Sequence, residues 1–287
     1  MATITAAMVK ELRERTGLGM MDCKKALAEA DGDMETAIDN LRKSSALKAA
    51  KKAGRTAAEG LLGLKVSADG KRGALVEINI ETDFAAKNEQ FIAFVERVVG
   101  LVFEQGDDLD KLLADGLDAE RESLVQSIGE NISIRRAARL VSETGQVFGY
   151  LHSDNKKAAL VEMTGADEAL GRDIAMHVTA SVPQVVRSEE VSADDIARER
   201  EIYLAQAQES GKPQDIIEKM VDGRVRKYLA DISLLDQPFV KDPNTKVGAL
   251  LKSNGADCQR MVRFEVGEGI EKEETDFAAE VAQARGQ

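Results

Sequence analysis

The residues of this chain best placed to do chemistry are Glu81-Thr82-Asp83-Phe84-Ala85-Ala86-Lys87-Asn88. Carboxylates, a hydroxyl and a large aromatic ring crowd together there, at a corner between two kinds of sequence pattern. Before it, Ala74, Val76, Ile78 and Ile80 alternate as in a strand; after it, Phe91, Phe94, Val95, Val98 and Val102 recur at helical spacing. Thr82 or Asp83 can cap that helix by accepting a bond from an unpaired first-turn N–H. Two readings of the corner stay open. In one, Asp83 is a cap and Phe84, seven residues before Phe91, opens the core stripe. In the other, the corner points outward and Phe84 is a wedge for a partner protein. An enzymatic use of Glu81 or Asp83 as general acid or base is the rival from another class; it needs a second polar group in a pocket.

Other chemistry finds little to work with. The histidines are His152 and His177, with no cysteine nearby, so a zinc site is not expected. His177, in Asp173-Ile-Ala-Met-His-Val, reads as a satisfied or partly exposed helix histidine. Cys23 and Cys258 are isolated and fit a reducing compartment better than a disulfide framework. The acidic run Glu268-Gly-Ile-Glu271-Lys-Glu273-Glu274 lacks ordered metal-ligand spacing and reads as a solvated turn. No Gly-x-x-x-x-Gly-Lys-Ser/Thr loop, no Gly-x-Gly-x-x-Gly after a strand and no Gly-x-Ser-x-Gly elbow occurs. Neither a cofactor, nor a metal, nor a catalytic residue is expected.

The elements that must position the corner belong to a chain of 287 residues, enough for about two domains. At 43% hydrophobic but 4% aromatic, with no Trp, its core must be mostly Ala, Val, Leu and Ile. A net charge of −12 repels phosphate backbones and argues against nucleic acid as a direct partner. The start, Met-Ala-Thr-Ile-Thr, has no signal-peptide character, and no stretch approaches the ~20 apolar residues of a membrane span. A soluble, cytoplasmic protein is expected.

Residues 1–54 read as three short helices: one capped at Thr5 and stopped before Gly17, one over Met20–Ala30, and one capped at Asp33. Helices this short must pack together. The arrangement resembles the ubiquitin-associated type of three-helix module, often used for protein docking. The loop Gly17-Leu18-Gly19-Met20-Met21 either offers its apolar side chains to a partner or closes the module's own core. The basic, Ala-rich stretch from Lys48 to Arg55 reads as a helix end plus linker.

An internal repeat organises the rest. Gly63-Leu-Lys-Val-Ser-Ala-Asp-Gly70 leads into Ala74-Leu-Val-Glu-Ile78, and Gly149-Tyr-Leu-His-Ser-Asp-Asn155 leads into Ala159-Leu-Val-Glu-Met163. Each copy is a β-hairpin followed by a helix, which predicts an α+β fold with a duplicated core of small antiparallel sheets. We place the first core subdomain at 55–140 and the second at 141–184 plus 231–267. The insertion at 185–230 reads as an antiparallel coiled-coil hairpin turned at Gly211-Lys212-Pro213, which must lean on its own subdomain, a second subunit or a partner. Glu130-Asn-Ile-Ser-Ile-Arg135-Arg136 reads as an edge strand or bridging segment whose arginines meet acidic neighbours or a partner's carboxylates. Residues 268–287 are expected to form a C-terminal helical module, in which Glu274-Thr275-Asp276-Phe277-Ala278-Ala279 repeats the opening motif almost letter for letter.

Four stretches resemble the bacterial elongation factor Ts family: Val9 to Leu27, Glu81 to Asn88, Ile128 to Arg136 and Phe264 to Glu271. The resemblance runs end to end and implies a guanine-nucleotide exchange factor, not an enzyme of covalent chemistry, whose partner is elongation factor Tu in its GDP-bound and nucleotide-free forms. It implies that Thr82, Asp83, Phe84 and Ala85 sit against the partner's G domain, Phe84 wedging near the helix that helps hold Mg²⁺. Ala85 stands where the family often has Val, a smaller contact expected to change little. The resemblance further implies partner contacts at Leu18, Met20, Met21 and Lys24, at Ile128 and Gly129, at His152, and in the tail at Asp276 and Phe277. A homodimer or two-to-two complex through the helical hairpin is left open. So is a docking scaffold, which would use the first 54 residues and leave the duplicated core idle.

Overall fold

The computed structural model describes residues 4–209 and 212–271. The chain forms two compact units. The first takes the chain up to Gly63, Val76–Ala137 and Glu265 onward; the second takes Leu64–Leu75 and Ala138–Phe264.

The first unit opens with helices α1 (Ala6–Thr16), α2 (Met20–Glu29) and α3 (Met34–Lys52). Their ends follow from local chemistry. The Thr5 hydroxyl accepts from the Met8 N–H, and the Asp33 carboxylate accepts from the Thr36 N–H at 2.7 Å. Gly17 ends α1 at φ 69°, in the left-handed region that glycine enters without penalty. Val9, Leu12, Leu18, Cys23, Leu27 and Ile38 pack between the three helices.

Strands β1 (Glu59–Val66), β2 (Arg72–Ile80) and β3 (Ile132–Val141) form a sheet in the order β1-β2-β3. The middle strand is buried on both faces from Gly73 to Ile80, where the alternation of Ala74, Val76, Ile78 and Ile80 predicts only one buried side. The intervening positions include Glu77 and Asn79, at 0% and 1% exposure. Helix α4 (Glu89–Gln105) buries Phe91, Phe94, Val95, Val98 and Val102, as its spacing requires. It lies so close to β1 that a Cβ on Gly63 would come within 3.0 Å of Val95. Helix α5 (Leu109–Leu112) passes through a π turn, broken at Gly116, into α6 (Asp118–Ile128).

The second unit holds the sheet β4 (Gln146–Leu151), β5 (Lys157–Thr164) and β8 (Asp257–Glu265), in that order. Strands β4 and β5 pair antiparallel, Gln146 opposite Met163 and Leu151 opposite Ala158. Helix α7 (Glu168–Ser181) packs Ile174, Ala175 and Val178 into the same core as Val161 and Met163. Helices α8 (Ala193–Gln208) and α9 (Gln214–Ile232) form the helical hairpin, with Ala207, Ile217, Val221 and Val225 buried between them. Two short strands, β6 (Pro238–Phe239) and β7 (Asp242–Lys246), precede α10 (Val247–Ser253) and have no counterpart in the sequence reading. The fold is α+β with small antiparallel sheets, as the repeat implies.

The duplication extends to a buried charge. Glu77 on β2 and Glu162 on β5 occupy the same place in the two copies, at 0% and 7% exposure. Glu162 accepts from Arg260 at 2.5 Å. Glu77 accepts from Arg135 at 3.0 Å, from Arg136 at 2.5 Å and from the Gly267 N–H at 2.8 Å. The arginines of the edge strand thus meet a carboxylate of their own sheet. Burial by itself would raise the Glu77 carboxyl; the Gly267 N–H and the Arg136 and Arg135 guanidiniums outweigh it and hold the group below its ordinary value.

Candidate functional site

The corner after β2 is built from the bottom by hydrogen bonds rather than by apolar packing. The Glu81 carboxylate accepts from the Asn131 N–H at 2.6 Å and lies 3.5 Å from Arg55. Thr82 donates twice to Glu130, from its backbone N–H at 2.9 Å and from its hydroxyl at 2.7 Å. The same hydroxyl oxygen accepts from the Ala85 N–H at 3.2 Å, which starts a single 3₁₀ turn over Ala85–Lys87. Ala86 is the buried residue of that turn.

Phe84 is 80% exposed, so it does not open the core stripe. The reason is geometric. The helix cap is Asn88, whose side chain accepts from the Gln90 N–H at 2.8 Å, while Asn88 itself is extended at ψ 132°. An extended residue between the 3₁₀ turn and α4 resets the helical phase, and the seven-residue spacing from Phe84 to Phe91 loses its meaning. Thr82 and Asp83 accordingly do not cap α4. Asp83 instead meets Lys87 at 3.1 Å, and the Lys87 ammonium stands 5.4 Å from the centre of the Phe84 ring. A cation over the face of an exposed ring restrains it only weakly.

Glu81 is thus engaged in a bond that shapes the backbone, and Asp83 in a surface ion pair with Lys87. A cavity of about 770 Å³ lies in the first unit between the helical module and α4 and α6, lined by Thr16, Leu18, Ile38, Phe94 and Ser123 among others; neither Glu81 nor Asp83 reaches it. The acid–base reading of the corner gains nothing from this geometry.

The other expected contact residues are placed unevenly. Met20 and Met21 are 58% and 76% exposed at the start of α2, and Lys24 is exposed one turn on. Leu18 departs from expectation: it is 2% exposed, sealed in the core of the three helices. The short loop between two glycines turns that side chain inward, and it shapes the loop without presenting itself. Ile128 is half-buried at the end of α6, and Gly129 ends that helix at φ 91° with its carbonyl accepting from Lys52. His152 is exposed in the β4–β5 turn of the second unit, 3.3 Å from the Tyr150 hydroxyl. Asp276 and Phe277, most of the 268–287 segment and the Gly211 end of the hairpin turn lie outside the described residues.

Glu130 and Asn131, which hold the corner, were not singled out by the sequence as site residues. A carboxylate directly after a helix-ending glycine and before an edge strand is the signal that could have found them. Among the described residues no group of three or more His, Cys, Asp or Glu side chains could hold a metal ion, and no helix is long and apolar enough to cross a membrane.

Residues 81–268 match the family model described as elongation factor Ts, so the matched stretch begins at the first residue of the corner. Over 283 residues the chain is 58% identical to elongation factor Ts of Hahella chejuensis, covering 98% of each chain. This chain belongs to the elongation factor Ts family. It is also 56% identical to elongation factor Ts of Marinobacter nauticus, over 100% of this chain and 99% of that one. The corresponding protein of Yersinia pestis is 56% identical over 98% of each chain. Membership in the elongation factor Ts family places the chain among the factors of translation elongation, and similarity of this extent covers the helical module, both core copies and the hairpin alike.

Proposed function

We propose that the chain is a guanine-nucleotide exchange factor for elongation factor Tu, acting by binding and not by covalent chemistry, and that Asp83 and Phe84 are its wedge. The observation that carries this reading is the 80% exposure of a phenylalanine held on a hydrogen-bonded corner, in a chain of this family. An aromatic ring held out in water contributes nothing to its own fold and a great deal to an interface that can bury it.

The physics needs no contact with the nucleotide. A Mg²⁺ ion on the partner demands near-ideal octahedral oxygens, so a small displacement of its support weakens ion and nucleotide together. By linkage, a factor that loosens GDP is loosened by GDP to the same extent. A coupling of ~3 kcal/mol corresponds to roughly 150-fold. Met20, Met21 and Lys24 supply a second contact with the G domain, and Ile128 and Gly129 a neighbouring one. His152 faces another domain of the partner, Asp276 and Phe277 anchor the tail, and the α8–α9 hairpin is the element offered to a second subunit. The working compartment of such a factor is the cytoplasm.

The test is release of fluorescent GDP from elongation factor Tu, with and without this protein. Release accelerated by orders of magnitude at saturating factor supports the proposal; an unchanged rate, with the complex formed, leaves only the docking-scaffold reading.

A further inference from the structure

Phe84 is exposed, Thr82 is exposed and Asp83 and Ala85 are at most half-buried, so the packing that would ordinarily fix a side chain's direction is absent at the corner. What fixes it is a reciprocal pair of carboxylate-to-backbone bonds. Glu81 accepts the Asn131 N–H, and Glu130 accepts the Thr82 N–H and hydroxyl. Each of two adjacent segments thus supplies the carboxylate that binds the other's backbone.

We propose that Glu130 is a positioning residue for exchange, holding Thr82 so that the following Phe84 is presented in one direction. This rests on the reading of Phe84 as the wedge. The Thr82 hydroxyl relays the effect: its proton goes to Glu130 and its oxygen receives the Ala85 N–H that starts the 3₁₀ turn. Losing Glu130 therefore frees the Thr82 N–H directly and unfixes the hydroxyl that receives the Ala85 N–H, while leaving the ring itself intact. Asn131 carries the clasp further, donating from its side chain to the Arg55 carbonyl at 2.8 Å, and Lys52 donates to the Gly129 carbonyl. The strap that leaves α3, and with it the module bearing Met20 and Met21, is tied to the same clasp. A wedge that must be ordered on contact forfeits binding energy to that ordering, and the loss falls on the strained complex in which nucleotide leaves.

The experiment uses the full chain with the variants E130A, E130Q, F84A and the double variant E130A/F84A. The expected result for E130A is a GDP-release rate at saturating factor lower by about tenfold, the scale of a lost charge-assisted hydrogen bond. Half-saturation should change by less than about twofold, because the other contacts persist. The Thr82 and Ala85 amides should exchange with solvent faster while the melting curve holds its position. E130Q, which retains one oxygen for the Thr82 N–H, should fall between wild type and E130A. If Glu130 acts through the ring, the double variant is no slower than F84A alone. Wild-type release by E130A, or effects of E130A and F84A that multiply, overturns the positioning role. A normal rate for F84A itself overturns the wedge reading, a failure distinct from that of Glu130.

Discussion

Replacing Glu77 by Gln keeps its volume and removes its charge, so it isolates what the buried carboxylate does. The side chain is 0% exposed, and Arg135 and Arg136 that grip it are 28% and 30% exposed. With its oxygen in place of Oε1, Gln can still accept from the Gly267 N–H and from Arg135, but its amide nitrogen then points a donor at the Arg136 Nε–H. Breaking a buried ion pair by removing one partner costs about 3–5 kcal/mol. Both guanidiniums retain access to water, and Arg136 keeps Glu268 at 3.2 Å, so the lower end applies, about 3 kcal/mol. At about 2–4 °C per kcal/mol for a chain of this class, the E77Q melting temperature at pH 7 should fall by roughly 6–12 °C.

The pH dependence follows from the sign of the shift. The folded carboxyl lies below its ordinary value of 4.5, so its stabilisation is fully present above that pH and is lost as pH falls through the folded value. The gap between wild type and E77Q should therefore be constant from pH 7 to about 5.5 and close below 4.5. Calorimetric or circular-dichroism melts across that range decide it. A gap under about 2 °C at pH 7, or one that persists unchanged to about pH 3, would show that the Glu77 charge does not hold the fold in this way.

G171A should lower the stability of the second unit even though alanine is the better helix former by about 1 kcal/mol, because its Cβ would fall 2.2 Å from the Phe148 ring; overpacking of about 1–3 kcal/mol outweighs the gain, read as a lower melting temperature. His177 is fully buried, donating through Nε2 to Gln237 and accepting from the Val240 N–H at Nδ1, and burial holds its pKa below 6.5 against the pull of Gln237. Stability linked to it is therefore intact above pH 6.5 and eroded as pH falls from there through the folded pKa, and NMR of the ring should show the neutral Nε2–H form predominating at pH 6.5; a titration at or above 6.5 would contradict this.

Helix ends were legible because short side chains write them: Thr5 and Asp33 accept first-turn N–H groups where the sequence suggests, and Gly17 stops the helix before it. The duplicated hairpin was legible from two stretches of like apolar and turn residues. Phe84 was ambiguous because its distance from Phe91 mimics two helical turns, and only the extended Asn88 between them breaks the phase. Leu18 faces inward for a reason no periodicity carries: a loop between glycines has no repeat to read. Strands β6 and β7 escaped because one is two residues long and begins with proline. Glu77 was hidden within an apolar run, its arginine partners 58 and 59 positions away in the chain. Likewise the Glu130 clasp on Thr82 joins residues 48 positions apart, and such pairings appear only when the sheet has formed.

If the ring of Phe84, already standing in water, drives nucleotide off elongation factor Tu, release of fluorescent GDP by F84A against wild type should show it. With the ring 80% exposed, truncation should leave the melting temperature unchanged, since such surface substitutions stay within about 0.5 kcal/mol. Release at saturating factor should nevertheless slow by about 30-fold, the equivalent of about 2 kcal/mol for an aromatic hot spot. Wild-type release by a normally folded F84A protein would mean that the ring is not the wedge.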